Sequence, residues 1–134
     1  MAHFNLKIVT PDGCRFEGKA QKIIVRTVTG DVGILARHVR YIAPLGVGEA
    51  KVFDIDSNLR RGAAAGGMIS VSEDEVVVVA STFEWADEID LKRAEKAADK
   101  AKERLARYKK DEAEWKLAEY KLKRALNRIN VSNK

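Results

Sequence analysis

The sequence predicts an α+β protein in which an N-terminal antiparallel β sandwich, residues 1–86, precedes a C-terminal antiparallel hairpin of two helices, residues 87–134. Two observations carry this prediction. Apolar residues alternate with polar ones in short runs before residue 87, whereas they recur every three or four positions after it. All nine glycines and both prolines also lie before residue 87, so the second part has no helix breaker.

The first part contains short apolar runs separated by turn residues. Phe4, Leu6 and Ile8 alternate with polar side chains, which is the pattern of a strand with one buried face. Clusters rich in Asp, Ser, Asn, Gly and Pro supply the turns. These clusters lie at 11–13, 56–58 and 72–75, and the apolar runs between them predict strands around Ile23–Val25, Lys51–Ile55, Met68–Val71 and Val76–Val79.

The second part predicts two helices joined near residue 110. Asp90 is a suitable N-cap for the first helix, and Asp111 followed by Glu114 has the spacing of a capping box for the second. We expect the first helix to bury a face made mainly of alanines, which lets a second helix approach closely. The expected faces are Ala94, Ala97, Ala98, Ala101, Leu105 and Tyr108 in the first helix, and Trp115, Ala118, Leu122, Ala125, Leu126 and Ile129 in the second.

Charge divides the chain at the same place. The net charge of +5 combines −2 for residues 1–89, with ten cationic and twelve acidic side chains, and +7 for residues 90–134, with fifteen and eight. A basic tail suits an acidic protein surface or nucleic acid. Cys14 is the only cysteine and no apolar run approaches ~20 residues, so we expect a soluble cytosolic protein.

The sequence shows no arrangement of catalytic residues. His3 and His38 are the only histidines, and neither has a cysteine partner at a zinc-ligand or nucleophile spacing. Glycines at 62, 66 and 67 lack the spacing and the following lysine of a phosphate-binding loop, so we expect them to permit close strand packing. The sequence therefore offers no candidate set of catalytic residues.

The basic hairpin offers one candidate binding site. If the helices turn near residue 110, Arg93 and Arg128 are level at the open end, because both helices rise equally per residue. The set that could surround a polyphosphate comprises Arg93, Lys100, Arg124 and Arg128, with Asp90 or Glu84 available for a ribose or a base amine. Spacing alone leaves open the alternative of a solvated face of i,i+4 ion pairs.

An ordered set of motifs resembles the ε-subunit family of bacterial F-type ATP synthases across nearly the whole chain. Each motif is short, and their common order and spacing make the resemblance specific. The motifs are Val9–Gly13, Gly30–Leu35 with His38, Pro44–Leu45, Gly66–Gly67, Asp87–Asp90 leading into Arg93–Ala94, and Leu122–Arg128.

The resemblance implies a ten-stranded sandwich and a two-helix hairpin in a non-catalytic central-stalk subunit on the cytoplasmic side of the bacterial membrane. The sandwich would bind the γ subunit and sit on the ring of c subunits, with the loop carrying Asp31 and His38 facing that ring. The helices would either fold together or extend toward the catalytic β subunits and inhibit ATP hydrolysis. This chain has Ala36 where the family usually has proline, and it adds charge at Arg37 and Arg40.

The resemblance also implies a regulatory ATP site. The family motif Ile/Leu-Asp-x-x-Arg-Ala corresponds here to Ile89, Asp90, Arg93 and Ala94. Lys100 occupies a position where nucleotide-binding relatives carry arginine, and lysine lacks the planar pair of donors. The remaining residues that the resemblance assigns to the site are Glu84, Arg124 and Arg128.

Two other classes of function are weaker. A nucleic-acid-binding protein would use the +7 hairpin on phosphates, but the first part is slightly acidic and its Phe16, Phe53 and Phe83 are scattered in sequence rather than forming a stacking row. A small nucleotide-handling enzyme would need a metal-binding carboxylate motif or a nucleophile with a base, and we identify neither.

Overall fold

A computed structural model describes residues 2–132, and the chain divides into two compact units between Trp85 and Ala86. The expected β sandwich and helical hairpin are confirmed. The predicted boundary, between residues 86 and 87, lies one residue further along the chain. Neither described helix contains a window long and apolar enough to cross a membrane.

The β unit consists of seven strands. They are β1 (Phe4–Thr10), β2 (Gly13–Thr27), β3 (Gly30–Leu35), β4 (Tyr41–Pro44), β5 (Val47–Asp54), β6 (Leu59–Val71) and β7 (Glu75–Trp85). Their order is β1-β7-β6-β5-β2-β3, while β4 pairs with β6. Because β1 also pairs with β2, hydrogen bonding runs around the whole unit.

Two details differ from the expectation of a ten-stranded antiparallel sandwich. The structure has seven strands because the longest ones pair in more than one place: residues 13–20 of β2 pair with β1, and residues 22–27 pair with β3. The pairing of β1 with β7 is parallel, whereas the other strand pairs are antiparallel.

The core of the β unit lies between its layers and is mainly aliphatic. Phe4, Leu6 and Ile8 are buried, as their alternation predicts. Each fully buried aliphatic side chain contributes about 1.5–3 kcal/mol. The largest fully buried side chains in this core are Leu6, Ile8, Ile23, Val25, Ile34, Val52, Ile69 and Val78.

A close approach of β6 to β7 explains the paired glycines. Gly67 has φ +103°, and a Cβ there would overlap the carbonyl oxygen of Val79. Its own carbonyl accepts a hydrogen bond of 2.8 Å from the backbone N–H of Leu45. Gly66 also has a positive φ, of 70°. Glycine is required where positive φ and close backbone contact coincide.

The α unit begins with a short 3-10 helix, Ala86–Glu88, followed by α1 (Leu91–Arg107) and α2 (Ala113–Ser132). Asp90 caps α1 by accepting a 3.1 Å hydrogen bond from the backbone N–H of Arg93, as predicted. The fully buried side chains of the two helices are small, while larger apolar side chains such as Leu105, Trp115 and Leu122 are half-buried. The buried residues are Ala94, Ala98 and Ala101 of α1 with Ala118, Ala125 and Val131 of α2.

The helical faces and the turn differ in part from the prediction. Ala97, Tyr108 and Leu126 were expected to be buried and are exposed. The predicted Asp111–Glu114 capping box is wrong. Instead, the Glu112 carboxylate accepts a 3.2 Å hydrogen bond from the backbone N–H of Lys109, and the Glu112 carbonyl accepts the first hydrogen bond of α2, so the cap lies one residue further along.

We predict that Gly67→Ala lowers the free energy of unfolding by at least ~2 kcal/mol, because the substitution combines positive φ with a backbone clash. Gly33→Ala is the matched control, since a Cβ at Gly33 would meet only the Lys22 and Ile24 side chains at 3.6 Å or more. Urea unfolding of both variants measures the difference. Equal stabilities would show that the β6–β7 approach does not constrain position 67.

Candidate functional site

A cationic groove lies between the two helices. Its volume is about 180 Å³. Among the residues that the structure describes, none with a carboxylate lines it. The lining consists of Ala97, Lys100, Ala101 and Arg104 from α1, and Lys121, Arg124, Ala125 and Arg128 from α2.

Helical spacing places five cations on this one groove. Lys100 and Arg104 are four residues apart on α1, and Lys121, Arg124 and Arg128 are spaced by three and four residues on α2, so each set lies on one helix face. Three alanines complete the lining, and their short side chains leave space between the cations. A concave surface that concentrates positive charge is suited to an anion with several negative charges.

The structure brings together part of the predicted site. Lys100, Arg124 and Arg128 line the groove, together with Arg104 and Lys121, which the sequence analysis did not single out. Their helical spacing from Lys100 and Arg124 could have indicated these two residues. The sequence alone, however, does not show which face of each helix is turned toward the other helix.

The motif residues lie around the start of α1 and do not line the groove. Asp90 is occupied as the N-cap and Arg93 is exposed. Ile89 is half-buried ahead of the helix, and Ala94 is buried. Glu84 belongs to the β unit, where it pairs with Ala63 across β6 and β7.

An i,i+4 ion pair, the alternative that spacing left open, lies on α2 outside the groove. This pair joins Lys123 to Glu119 at 3.7 Å, and neither residue lines the groove. Arg124 lies 5.9 Å from the centre of the Tyr120 ring, a contact that helps to orient its guanidinium.

A second feature is the tip of the β2–β3 hairpin, which carries Asp31. The Arg26 guanidinium donates to the Asp31 carboxylate at 2.5 Å and 3.4 Å. The hydrogen bond from Arg26 lowers the pKa of Asp31 below its ordinary value, and the same hydrogen bond raises the pKa of Arg26. Gly48 makes room for the arginine, since a Cβ there would overlap the Arg26 side chain.

A strip of exposed apolar side chains crosses one face of the β unit. Pro44 pairs with Met68, and Met68 pairs with Val79, so these residues point to the same side. Ile42 precedes Pro44 by two positions and shares that side. All four are exposed, and we call this set the apolar strip.

The aromatic residues of the β unit are not a stacking row. Phe16 and Phe83, which the sequence shows as scattered, both pack against the buried Trp85 with ring centres 6.1 and 4.8 Å apart. Arg60 covers the Trp85 ring at 3.9 Å. Phe83 and Trp85 are buried and cannot stack with bases, so this cluster does not favour nucleic-acid binding.

The chain thus combines a β sandwich with a helical hairpin, and family models match these two parts in the same order. Residues 3–86 match the family model described as the beta-sandwich domain of the ATP synthase Delta/Epsilon chain, and residues 87–133 match its long alpha-helix domain. The chain belongs to the ATP synthase delta/epsilon family and is similar to its bacterial epsilon chains.

Three curated relatives show how far the similarity extends. The ATP synthase epsilon chain of Ruminococcus albus is 43% identical, covering 100% of this chain and 99% of the relative. That of Exiguobacterium is 40% identical, covering 95% and 93%. That of Halalkalibacterium halodurans is 37% identical and covers 100% of both chains.

A solved structure shares the fold. A chain in the cryo-EM structure of the Euglena gracilis mitochondrial ATP synthase, described as OSCP/F1/c-ring, superposes with a TM-score of 0.79 at 23% identity. The alignment covers 92% of this chain and 77% of that one.

We predict that the Asp31 carboxyl titrates below its ordinary pKa of about 3.9. Because the folded-state pKa is lowered, the pair stabilises the fold above that ordinary value and is lost as the pH falls through the folded-state pKa. Both side chains are about half exposed, so the contribution is about 0.5 kcal/mol or less.

Carbon-13 NMR of the Asp31 carboxyl measures this pKa directly. Arg26→Gln should raise it toward the ordinary value, whereas Lys51→Gln should have a smaller effect, since Lys51 lowers the pKa of Asp31 less than Arg26 does. An unchanged Asp31 pKa in Arg26→Gln would contradict the assignment of the shift to the hydrogen bond.

Proposed function

We propose that this protein is a central-stalk subunit of the rotary F-type ATP synthase, where it helps to couple proton flow to ATP synthesis. The observation that carries the proposal is the match of both units, in order, to the two domains of the delta/epsilon family. The subunit would lie peripherally on the cytoplasmic side of the bacterial cell membrane.

The β unit would join this protein to the rotor. The apolar strip is suited to the γ subunit, because burying exposed apolar side chains of Ile42, Met68 and Val79 would stabilise a permanent contact. The hairpin tip with Asp31 and the loop with His38 would face the ring of c subunits, as the family resemblance implies.

The α unit would regulate ATP hydrolysis. Its helices are held together mainly by alanines, which bury little apolar area each, so the hairpin opens at a modest cost. The turn between them contains neither Gly nor Pro, which permits a more extended helical arrangement. Extended helices would present their cations to acidic surfaces of the catalytic β subunits and inhibit hydrolysis.

ATP would act as a regulatory ligand on the equilibrium between the folded hairpin and the extended helices. The groove exists only when α1 and α2 are paired, since both helices supply its cations. A ligand that binds one conformation stabilises it in proportion to its concentration over its dissociation constant. ATP would therefore hold the hairpin folded and withdraw the inhibitor when ATP is plentiful.

We predict that Arg124→Gln weakens ATP binding to the full-length chain by ~10-fold or more, the loss expected for a charge-assisted contact. The family resemblance predicts a similar loss for Arg93→Ala. Lys100→Arg should tighten binding, because arginine supplies two parallel donors to phosphate. Calorimetric titration measures all three affinities.

Lys123→Gln is the matched control for this titration, because Lys123 lies on the same helix, pairs with Glu119 and does not line the groove. It should bind ATP like the original chain. Equal affinities for Arg124→Gln and Lys123→Gln would remove the groove from the proposal.

We also predict that a chain ending after Asp87 folds and binds γ, because every residue of the aliphatic core belongs to the β unit. An ATP synthase assembled with it should hydrolyse ATP faster than one with the full-length subunit. Circular dichroism, γ pull-down and a coupled ATPase assay measure the three properties. A fragment that is unfolded or does not bind γ would contradict the independence of the β unit.

A further inference from the structure

The turn between α1 and α2 is exposed and highly charged. All residues from 106 to 114 are exposed, so no buried side chain fixes the turn. Its conformation therefore depends on local hydrogen bonds and charges. The cations at the end of α1 and the carboxylates at the start of α2 follow each other directly, as Arg107, Lys109, Lys110, Asp111, Glu112 and Glu114.

Local hydrogen bonds separate the two helices. The backbone N–H of Tyr108 donates to the Arg104 carbonyl at 3.3 Å, but Tyr108 itself is extended, with φ −108° and ψ 154°. The next N–H, of Lys109, donates to the Glu112 carboxylate at 3.2 Å, and the Glu112 N–H donates to the Lys109 carbonyl at 3.0 Å. The Glu112 carbonyl also accepts from the N–H of Lys116 at 3.1 Å. Glu112 therefore closes the turn and begins α2 at the same time.

The break between the helices lacks the residues that usually stop a helix. Helices commonly end at a glycine with positive φ, or shortly before a proline, and residues 108–112 contain neither. The non-glycine residues with positive φ that the structure describes are Arg37 and Ser57, both in the β unit. Glu112 supplies one half of a capping box, but Lys109 has no side-chain oxygen to supply the other half. The Glu112 carboxylate is thus the side chain that holds the break.

The charges of this segment suit an unbroken helix as well as a broken one. In one continuous helix, Arg107 would face Asp111 and Lys110 would face Glu114, because each pair is four residues apart. In two separate helices, the cations lie at the carboxyl end of α1 and the carboxylates at the amino end of α2, where each set interacts favourably with a helix dipole. The charges therefore stabilise both structures, and the Glu112 hydrogen bond decides between them.

We infer that residues 107–114 form a hinge with two stable structures, which we call the charged hinge, and that the Glu112 carboxylate keeps it in the broken form. When this carboxylate leaves the Lys109 N–H, residues 108–112 join α1 and α2 into one helix. The inference rests on the proposed opening of the hairpin and deepens it, because it assigns the opening to one side-chain hydrogen bond. Glu112 would then set the fraction of the subunit in the extended form.

The distance between two spin labels on the full-length chain tests the inference. The labels are attached through Lys96→Cys and Asn130→Cys, both exposed positions, after Cys14→Ser removes the native thiol. Packed helices have axes ~8–10 Å apart, whereas the 34 residues between the labels span about 50 Å of continuous helix. Glu112→Ala should raise the long-distance population about 5-fold, as is typical for the loss of a helix cap. Lys109→Ser should lower it, because serine completes the capping box.

Glu114→Ala is the matched control, because it removes an exposed carboxylate from the same segment and leaves the bond between Glu112 and Lys109 in place. It should not raise the long-distance population. The inference is overturned if Glu112→Ala and Glu114→Ala give the same distance distribution, or if Lys109→Ser raises the long-distance population. In the assembled ATP synthase, Glu112→Ala should also slow ATP hydrolysis relative to Glu114→Ala. Changed distances with unchanged hydrolysis would support the charged hinge and contradict the proposed inhibition by extended helices.

Discussion

The alanine contact between α1 and α2 is the constraint on which the regulatory part of this structure depends. Ala94, Ala98 and Ala101 of α1 and Ala118 and Ala125 of α2 are buried, and their small side chains allow close helix approach. That approach brings two rows of cations to a single groove. The same small side chains bury little apolar area, so they hold the helices weakly. The same interface thus forms the proposed binding site and keeps the free energy of separating the two helices low.

The β unit, in contrast to the helices, buries large side chains. Its core contains large aliphatic side chains such as Ile8, Ile23 and Ile69, and its strands pair around the whole unit. Gly67 lets β6 and β7 meet at a distance that any other residue would prevent. A rigid unit of this kind is suited to a permanent place in a rotor, while the weakly held helices are suited to a change of conformation.

Much of the fold was predictable because local patterns and tertiary packing agree in it. The alternation of Phe4, Leu6 and Ile8 marks a buried strand face, and the Asp90 cap marks the start of α1. Residues 59–67 of β6 show no alternation of apolar and polar side chains, so the sequence did not predict a strand there. Their extended conformation comes from pairing with β5 on one side and β7 on the other. Arg104 and Lys121 were missed for a related reason: which face of a helix turns inward depends on its partner helix.

Native-state hydrogen exchange with and without ATP tests the central claim most directly. Amides of Ala98 and Ala125 should exchange through an opening whose free energy is lower than that of Ile8 and Ile69 by several kcal/mol. ATP should slow exchange in α1 and α2 and leave the β core unchanged. Equal opening free energies in the two units, or ATP protection of the β core alone, would contradict a weakly held hairpin that ATP stabilises.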